Sequence, residues 1–209
     1  MIRVLIADDH PIVRRGLRQI VADEPDMTVV ADTGDGREVL RLVDEQALDV
    51  IVLDINMPGL SGLEVLSQLK QRQQRLPVLV LSVHPEGELA MRVLKAGASG
   101  YLNKEIAPEE LTKAIRLVVS GKKYVSATLG ELLVNSLERG SDPPHSTLSD
   151  REYQVFTLIA SGKTVSEIAA EIALSVKTVS TYRARILEKM SMRTNAELTH
   201  YAVRNRLVE

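Results

Sequence analysis

DVIVLDINMPGLSG (49–62) decides the fold. Four β-favouring residues, Val50 to Leu53, run without alternation and stop at Asp54, with Pro58 and Gly59 close behind. An apolar run with no polar face suits a strand covered on both sides, as in a parallel sheet between helices. Working outward, the same signature recurs in IRVLIA (2–7), MTVVAD (27–32), PVLVLS (77–82) and SGYLN (99–103). Helical patterns fill the intervals at 11–23, 36–46, 61–73, 86–96 and 108–120. Pro108 suits a first helical turn, and Glu109 and Glu110 suit its positive end. Five strand–helix units within residues 1–121 predict an α/β domain: a doubly wound, flavodoxin-like sheet of five parallel strands. In that architecture functional groups collect at the carboxyl edges of the strands.

Beyond Gly121 the pattern changes. Residues 122–146 read as a linker: a short helix fits 127–137, and ERGSDPPHS (138–146) has linker composition. Residues 147–209 read as an all-α, four-helix domain with helices at 149–160, 165–172, 176–190 and 195–205. Ser149 with Glu152, and Thr164 with Glu167, have capping-box spacing, and Ser175 is placed to cap the third helix. A length of 209 residues accommodates two such domains. With one Phe and no Trp, both cores must be aliphatic. The absence of Cys excludes disulfides, thiolate metal sites and cysteine nucleophiles. No stretch approaches the roughly 18 apolar residues of a membrane helix. The expectation is a soluble, cytoplasmic protein without a membrane partner.

Net charge is −2, but it is unevenly spread. Residues 1–121 hold 14 Lys/Arg against 18 Asp/Glu, whereas 145–209 hold 9 against 7. Within 175–193, Lys177, Arg183, Arg185, Lys189 and Arg193 face the single acid Glu188. A basic helix in a mildly acidic protein points to a focused polyanion contact.

Asp8 and Asp9 follow the first strand, and Asp54 ends the third. Carboxylates about 4 Å apart repel by roughly 4 kcal/mol at an effective dielectric near 20, so three together need a cation, a raised pKa or separation. Mg²⁺ is the expected cation, because it takes oxygen ligands and commonly joins carboxylates to a phosphate. Ser82 ends the fourth strand and Lys104 follows the fifth, where they can donate to a phosphoryl oxygen. Singly, each of these is an ordinary strand-end residue or a solvated loop lysine. Five polar groups converging on one crevice are not.

On the helix 176–190, Val176, Val179, Ile186, Leu187 and Met190 fall on one side, and Lys177, Thr181, Ala184, Arg185 and Glu188 on the other. Amphipathic helices usually turn such a face to water. Short polar and basic side chains with a small alanine also suit entry into a major groove.

ADDHPIVRRGL, the LDINMPGLSGLE run, LSVH and AGASGYLNK resemble the receiver domain of bacterial two-component response regulators across essentially all of 1–120. The resemblance implies that Asp54 is the phosphoacceptor and that Asp8 and Asp9 hold Mg²⁺, with Asn56 adding its backbone carbonyl. It implies that Lys104 contacts the phosphoryl group, that Ser82 rotates toward it, and that Tyr101 is the coupled switch aromatic. Asn56 and His84 occupy positions that flank the attacking water in dephosphorylation, although ordinary loop residues would read the same way. LSDREYQVFTLIASGKTVSEIAAEIALSVKTVSTYRARILEKM, continuing to AELTHYAVRNRL, resembles the LuxR-type helix-turn-helix of the NarL/FixJ family over 147–209. By that resemblance Ser180, Thr181 and Ala184 lie nearest the bases, Lys177, Thr178, Arg183 and Arg185 serve phosphates, with Arg185 able to reach either phosphate or base, and 195–205 is a dimerisation helix. Arg183 falls near the apolar side and has to snorkel outward.

The expected function is therefore a response regulator in which phosphorylation of Asp54 controls sequence-specific binding to double-stranded promoter DNA. The implied partners are a sensor histidine kinase, a second copy of the chain when active, and RNA polymerase as a further candidate. Two other classes compete. An enzyme forming an aspartyl-phosphate is disfavoured because Asp54-Ile55-Asn56 lacks a second carboxylate and no substrate-domain insertion is present. Gly34-Asp35-Gly36 lacks the third glycine of a dinucleotide loop and reads as a turn. A DNA-binding regulator with a phosphorylation-independent receiver fits less well with an intact Asp54, Ser82 and Lys104.

Overall fold

The computed structural model describes residues 1–72, 76–83, 87–105, 108–138, 143–205 and 207–208. They form two compact units, Met1–Leu133 and Val134–Glu209. In the first, strands β1 (Ile2–Ala7), β2 (Met27–Thr33), β3 (Val50–Asp54), β4 (Val78–Ser82) and β5 (Gly100–Asn103) alternate with helices α1 (Pro11–Ala22), α2 (Gly36–Glu45), α3 (Gly62–Gln71), α4 (Glu88–Ala96) and α5 (Pro108–Val119). The strands are all parallel, in the order β2-β1-β3-β4-β5.

Alternate residues of each strand point to opposite faces, and both faces are dry. Leu5, Ile51, Leu53 and Val80 join a core completed by Val39, Leu63, Leu66 and Met91 of α2, α3 and α4. Val4, Ile6, Val52 and Leu81 join the other, with Leu17 and Val21 of α1 and Leu111 and Ile115 of α5. Every residue of β3 and β4 is buried, which is why their sequences show no polar alternation.

The Gly34-Asp35-Gly36 turn does more than reverse the chain. Asp35 caps α2 by accepting from the Arg37 amide, and the Gly36 amide donates to the Pro58 carbonyl at 3.1 Å. A β-carbon on Gly36 would lie 1.9 Å from the Leu60 carbonyl oxygen. The turn is thus seated against the loop that follows β3.

Helix α6 (Ala127–Glu138) is present as expected, and the boundary between the units falls inside it. Part of the expected linker is structured: Pro144–Thr147 forms a 3₁₀ turn in which His145 is buried. His145 Nδ1 lies 2.7 Å from the Tyr201 hydroxyl, and its ring packs near Tyr153. Residues 139–142 of the expected linker lie outside the described residues.

The second unit contains α7 (Asp150–Ala160), α8 (Val165–Glu171), α9 (Val176–Lys189) and α10 (Asn195–Arg204) around Phe156, Ile168, Val179, Ile186 and Leu198, all fully buried. Both expected capping boxes form, and Ser175 caps α9. Each of α7, α8 and α9 ends in a left-handed residue followed by an amide that reaches back to the helix's third-last carbonyl. The left-handed residues are Gly162, Ala173 and Ser191, and the returning amides are Lys163 to Leu158, Leu174 to Ala169 and Met192 to Leu187. This repeated stop makes the connections short enough to fold four helices into about 60 residues.

Candidate functional site

Three strand ends deliver the acidic constellation. Asp8 at the end of β1 is 1% exposed, Asp54 at the end of β3 is 3% exposed, and Ser82 at the end of β4 is 1% exposed. Lys104, just past β5, places Nζ 2.7 Å from Asp54 Oδ2 and 2.7 Å from Asp8 Oδ2. Its backbone amide donates to the Ser82 carbonyl at 2.8 Å, so β4 and β5 together aim the lysine. The Asn56 amide donates to Asp54 Oδ1 at 3.3 Å.

Burial pushes the Asp54 carboxyl up to about 6 and the Asp8 charge adds to that, while Lys104 and the Asn56 amide pull it down. Burial alone would lower the Lys104 ammonium, yet the two carboxylates hold its pKa above the ordinary lysine value. One cation thus serves two buried anions. Asp9 Oδ1 is sealed from solvent and takes no hydrogen bond from the described residues, while Asp8 Oδ2, equally sealed, has the Lys104 ammonium beside it. Buried carboxylate oxygens are costly unless a cation serves them. One ligand atom from each of Asp8, Asp9, His10 and Asp54 lies within 4.8 Å of the others, a set able to hold a divalent metal.

Two residues that sequence reasoning passed over belong here. His10 is the N-cap residue of α1, and its ring enters the cluster. Arg14, one turn on, donates from Nη1 to the Asp8 carbonyl at 2.6 Å and from Nε to Asp32 Oδ2 at 3.3 Å. Arg14 therefore ties the loop carrying Asp8 and Asp9 to the end of β2. The i, i+4 spacing of His10 and Arg14 was a usable signal, though RR at 14–15 reads as a solvated charge pair. Tyr101 is fully buried in the core that includes Leu53 and Val80, so it is already an interior residue. Asn56 is half-buried beside the cluster, and His84 lies outside the described residues.

In the second unit, Lys177, Ser180, Thr181, Ala184 and Arg185 are exposed on α9, and Thr178 is half-buried. Val179 and Ile186 of the opposite side are fully buried and Met190 nearly so. Val176 differs from the expected pattern: it is 51% exposed, although Val179, one turn on, is fully buried. Arg183 is half-buried and donates from Nε to Asn195 Oδ1 at 2.6 Å, a brace between α9 and α10. Lys189 Nζ lies 2.6 Å from Glu152 Oε2, which is almost wholly buried, and so locks the end of α9 to the start of α7.

A parallel sheet with an acid–lysine pocket at its carboxyl edge, joined in one chain to a helix-turn-helix, defines a regulator that couples phosphoryl acceptance to DNA binding. Comparison with known proteins agrees. The profile "Response regulator receiver domain" matches residues 4–116, and "Bacterial regulatory proteins, luxR family" matches 146–202. Response regulator UvrY of Escherichia coli (strain K12) is 37% identical over 99% of this chain and 96% of its own length. Response regulator GacA of Pseudomonas protegens is 40% identical over 100% and 99%. The structure of RcsB from Salmonella enterica serovar Typhimurium, bound to promoter P1flhDC with the phosphomimetic BeF₃⁻, aligns with a TM-score of 0.61 at 27% identity, covering 99% of each chain. The chain belongs to the two-component response regulators of the NarL/FixJ type, with a receiver domain coupled to a LuxR-type helix-turn-helix. It is a phosphoryl acceptor and not a conventional turnover enzyme. Among the described residues, no helix is long and apolar enough to cross a membrane.

Proposed function

We propose that Asp54 accepts the phosphoryl group, and that its modification controls promoter binding through the exposed face of α9. The observation that carries this is Lys104 Nζ, 2.7 Å from both Asp54 and Asp8. An ammonium so placed neutralises the nucleophile at rest and the phosphoryl oxygens after transfer. With Asp54 raised only to about 6, its carboxylate form predominates near neutral pH. One of its oxygens forms the new bond to phosphorus as the bond from phosphorus to the donor breaks. The donor is a sensor histidine kinase. Mg²⁺ is the cation we assign to Asp8, Asp9, Asp54 and the Asn56 carbonyl, where it supplies positive charge at the phosphoryl oxygens. Arg14 keeps the Asp8 backbone in place for it. Ser82, buried beside Asp54, donates to the new group, and Tyr101 reports the change through packing.

On α9, Ser180, Thr181 and Ala184 read base edges, and Lys177, Thr178, Arg183 and Arg185 contact phosphates. The Nε of Arg183 is engaged by Asn195, so its share of phosphate contact rests on the remaining guanidinium nitrogens. The active species is a homodimer reading inverted half-sites. The domain limits we assign are 1–121 for the receiver, 122–146 for the connection and 147–209 for the DNA-binding domain. Radiolabelling by a small-molecule phosphodonor tests the assignment: Asp54→Asn abolishes stoichiometric labelling, and gel-shift affinity for a target promoter becomes independent of the donor. Labelling retained in Asp54→Asn removes the proposal. Unchanged promoter affinity in a Lys177→Ala, Arg185→Ala double variant removes the placement of α9.

A further inference from the structure

We propose that His10 supplies an imidazole nitrogen to the metal held by the acidic pocket, so that the pocket favours a nitrogen-accepting first-row ion such as Mn²⁺ over Mg²⁺. The inference rests on the metal assignment of the preceding section and adds a ligand to it. Its basis is a spacing. His10 Nδ1 lies 2.7 Å from Asp9 Oδ1 and 3.3 Å from Asp8 Oδ1. Adjacent ligands of an octahedral ion, each about 2.1 Å from the metal, stand about 3 Å apart. The nitrogen therefore stands from each of the two oxygens at about the separation of neighbouring corners of one coordination shell.

Two observations disfavour the simpler reading of the ring as a structural hydrogen-bond donor. Despite the 2.7 Å approach, Asp9 Oδ1 takes no hydrogen bond from His10 or from any other described residue. His10 is the N-cap residue of α1, yet its side chain makes no capping bond. Ser, Thr, Asp or Asn would cap that helix better, so the helix does not account for an imidazole here. Asp8, 1% exposed, brings a second sealed oxygen, Oδ2, into the same cluster, where Lys104 Nζ lies 2.7 Å away.

The chemistry then sets the selectivity. Mg²⁺ is a hard ion that takes oxygen ligands and dehydrates reluctantly, so an imidazole adds little to its binding. First-row divalent ions accept imidazole and bind mixed nitrogen–oxygen sites more tightly along the series from Mn²⁺ to Cu²⁺. A pocket of carboxylates alone would also rank these metals. The distinguishing property is that the preference depends on His10.

The test uses the full chain, titrated with MgCl₂ and with MnCl₂, and pulsed EPR of the Mn²⁺-loaded protein. His10→Asn is the informative variant, because asparagine caps a helix well and should preserve the fold. We expect ¹⁴N coupling of an imidazole to Mn²⁺ in the wild type, lost in His10→Asn. Mn²⁺ affinity should fall about tenfold while Mg²⁺ affinity changes less than about twofold. Absence of imidazole coupling in the wild type, or equal loss for both ions, overturns the inference and leaves the Mg²⁺ assignment standing. If neither ion binds the wild type, the metal assignment itself fails, and His10 with it.

Discussion

In the first unit Asp8, Asp54 and Ser82 hold their polar groups inside the fold, whereas in the second unit Lys177, Ser180, Thr181 and Arg185 stand in solvent on a helix whose other side is packed. The contrast follows from what each has to meet. A phosphoryl group is small and arrives at one point, so neutralising it benefits from a dry, preorganised pocket where each charge interacts strongly. A DNA duplex is large and approaches from outside, so its reader must present flexible polar side chains on a rigid support. In the receiver the charges are part of the interior. In the DNA-binding unit the interior serves only to hold the surface still.

If that division is right, the largest effect comes from the support of α9. Phe156 is fully buried, with ring centroids 6.0 Å from Tyr153 and 6.4 Å from Tyr201. Phe156→Ala should cost about 3–5 kcal/mol and lower the melting transition of the second unit in calorimetry. Phosphodonor labelling of the first unit should be unchanged. Loss of labelling in that variant would show that the two units do not fold independently.

Opposite glycine exchanges sharpen the comparison at the next level. Gly36→Ala drives a methyl group into the Leu60 backbone behind the acceptor loop, and should destabilise the receiver by about 1–3 kcal/mol in urea unfolding. Ala173, at φ 51°, holds a left-handed conformation that glycine adopts without steric cost. Ala173→Gly should therefore stabilise the second unit, by about 0.5–1 kcal/mol. If both exchanges destabilise, the stop after α8 is shaped by packing and not by backbone preference.

The smallest effect concerns a charge pair that is not part of the pocket. Hydrogen bonds from the Arg3 side chain and amide hold the Asp49 carboxyl down at about 2. The folded value lies below the unfolded one, so the pair contributes its full stabilisation above about pH 4. That contribution disappears as the pH falls from 4 toward 2. Both side chains are partly exposed, and solvent screening keeps the gain small. In Asp49→Asn the receiver's acid-unfolding profile between pH 4 and 2 should be flatter than the wild type's. An identical profile would show that the pair is screened out.

Much of this architecture was legible in the chain because it rests on local rules. Unbroken apolar runs mark strands that are buried on both faces, and the observed strands begin and end within a residue of the predicted ones. Capping boxes are local hydrogen-bond patterns, so Ser149 with Glu152 and Thr164 with Glu167 could be recognised from spacing alone. The acid–lysine convergence was also predictable, because parallel strands deliver their ends to one edge. What escaped were contacts between residues that are near only after folding. Arg14 reads as half of a charged pair until β2 brings Asp32 beside it. The partner of Arg183 Nε could not be read until α10 presents Asn195. His145 reads as linker until Tyr201, 56 positions later, meets its ring.

The order of apolar runs, caps and turns already dictated two domains, the edge on which the acids gather and the helix that faces outward, because periodicity and hydrogen bonding between near neighbours survive without any distant partner. Folding alone decided which neighbours each polar group acquired: that Lys104 serves two carboxylates at once, that His10 turns into the acidic cluster instead of capping its helix, and that Gly36 must lack a side chain because Leu60 lies against it. Those outcomes depend on distances of a few tenths of an ångström between segments far apart in the chain, and packing sets such distances only when the whole core closes.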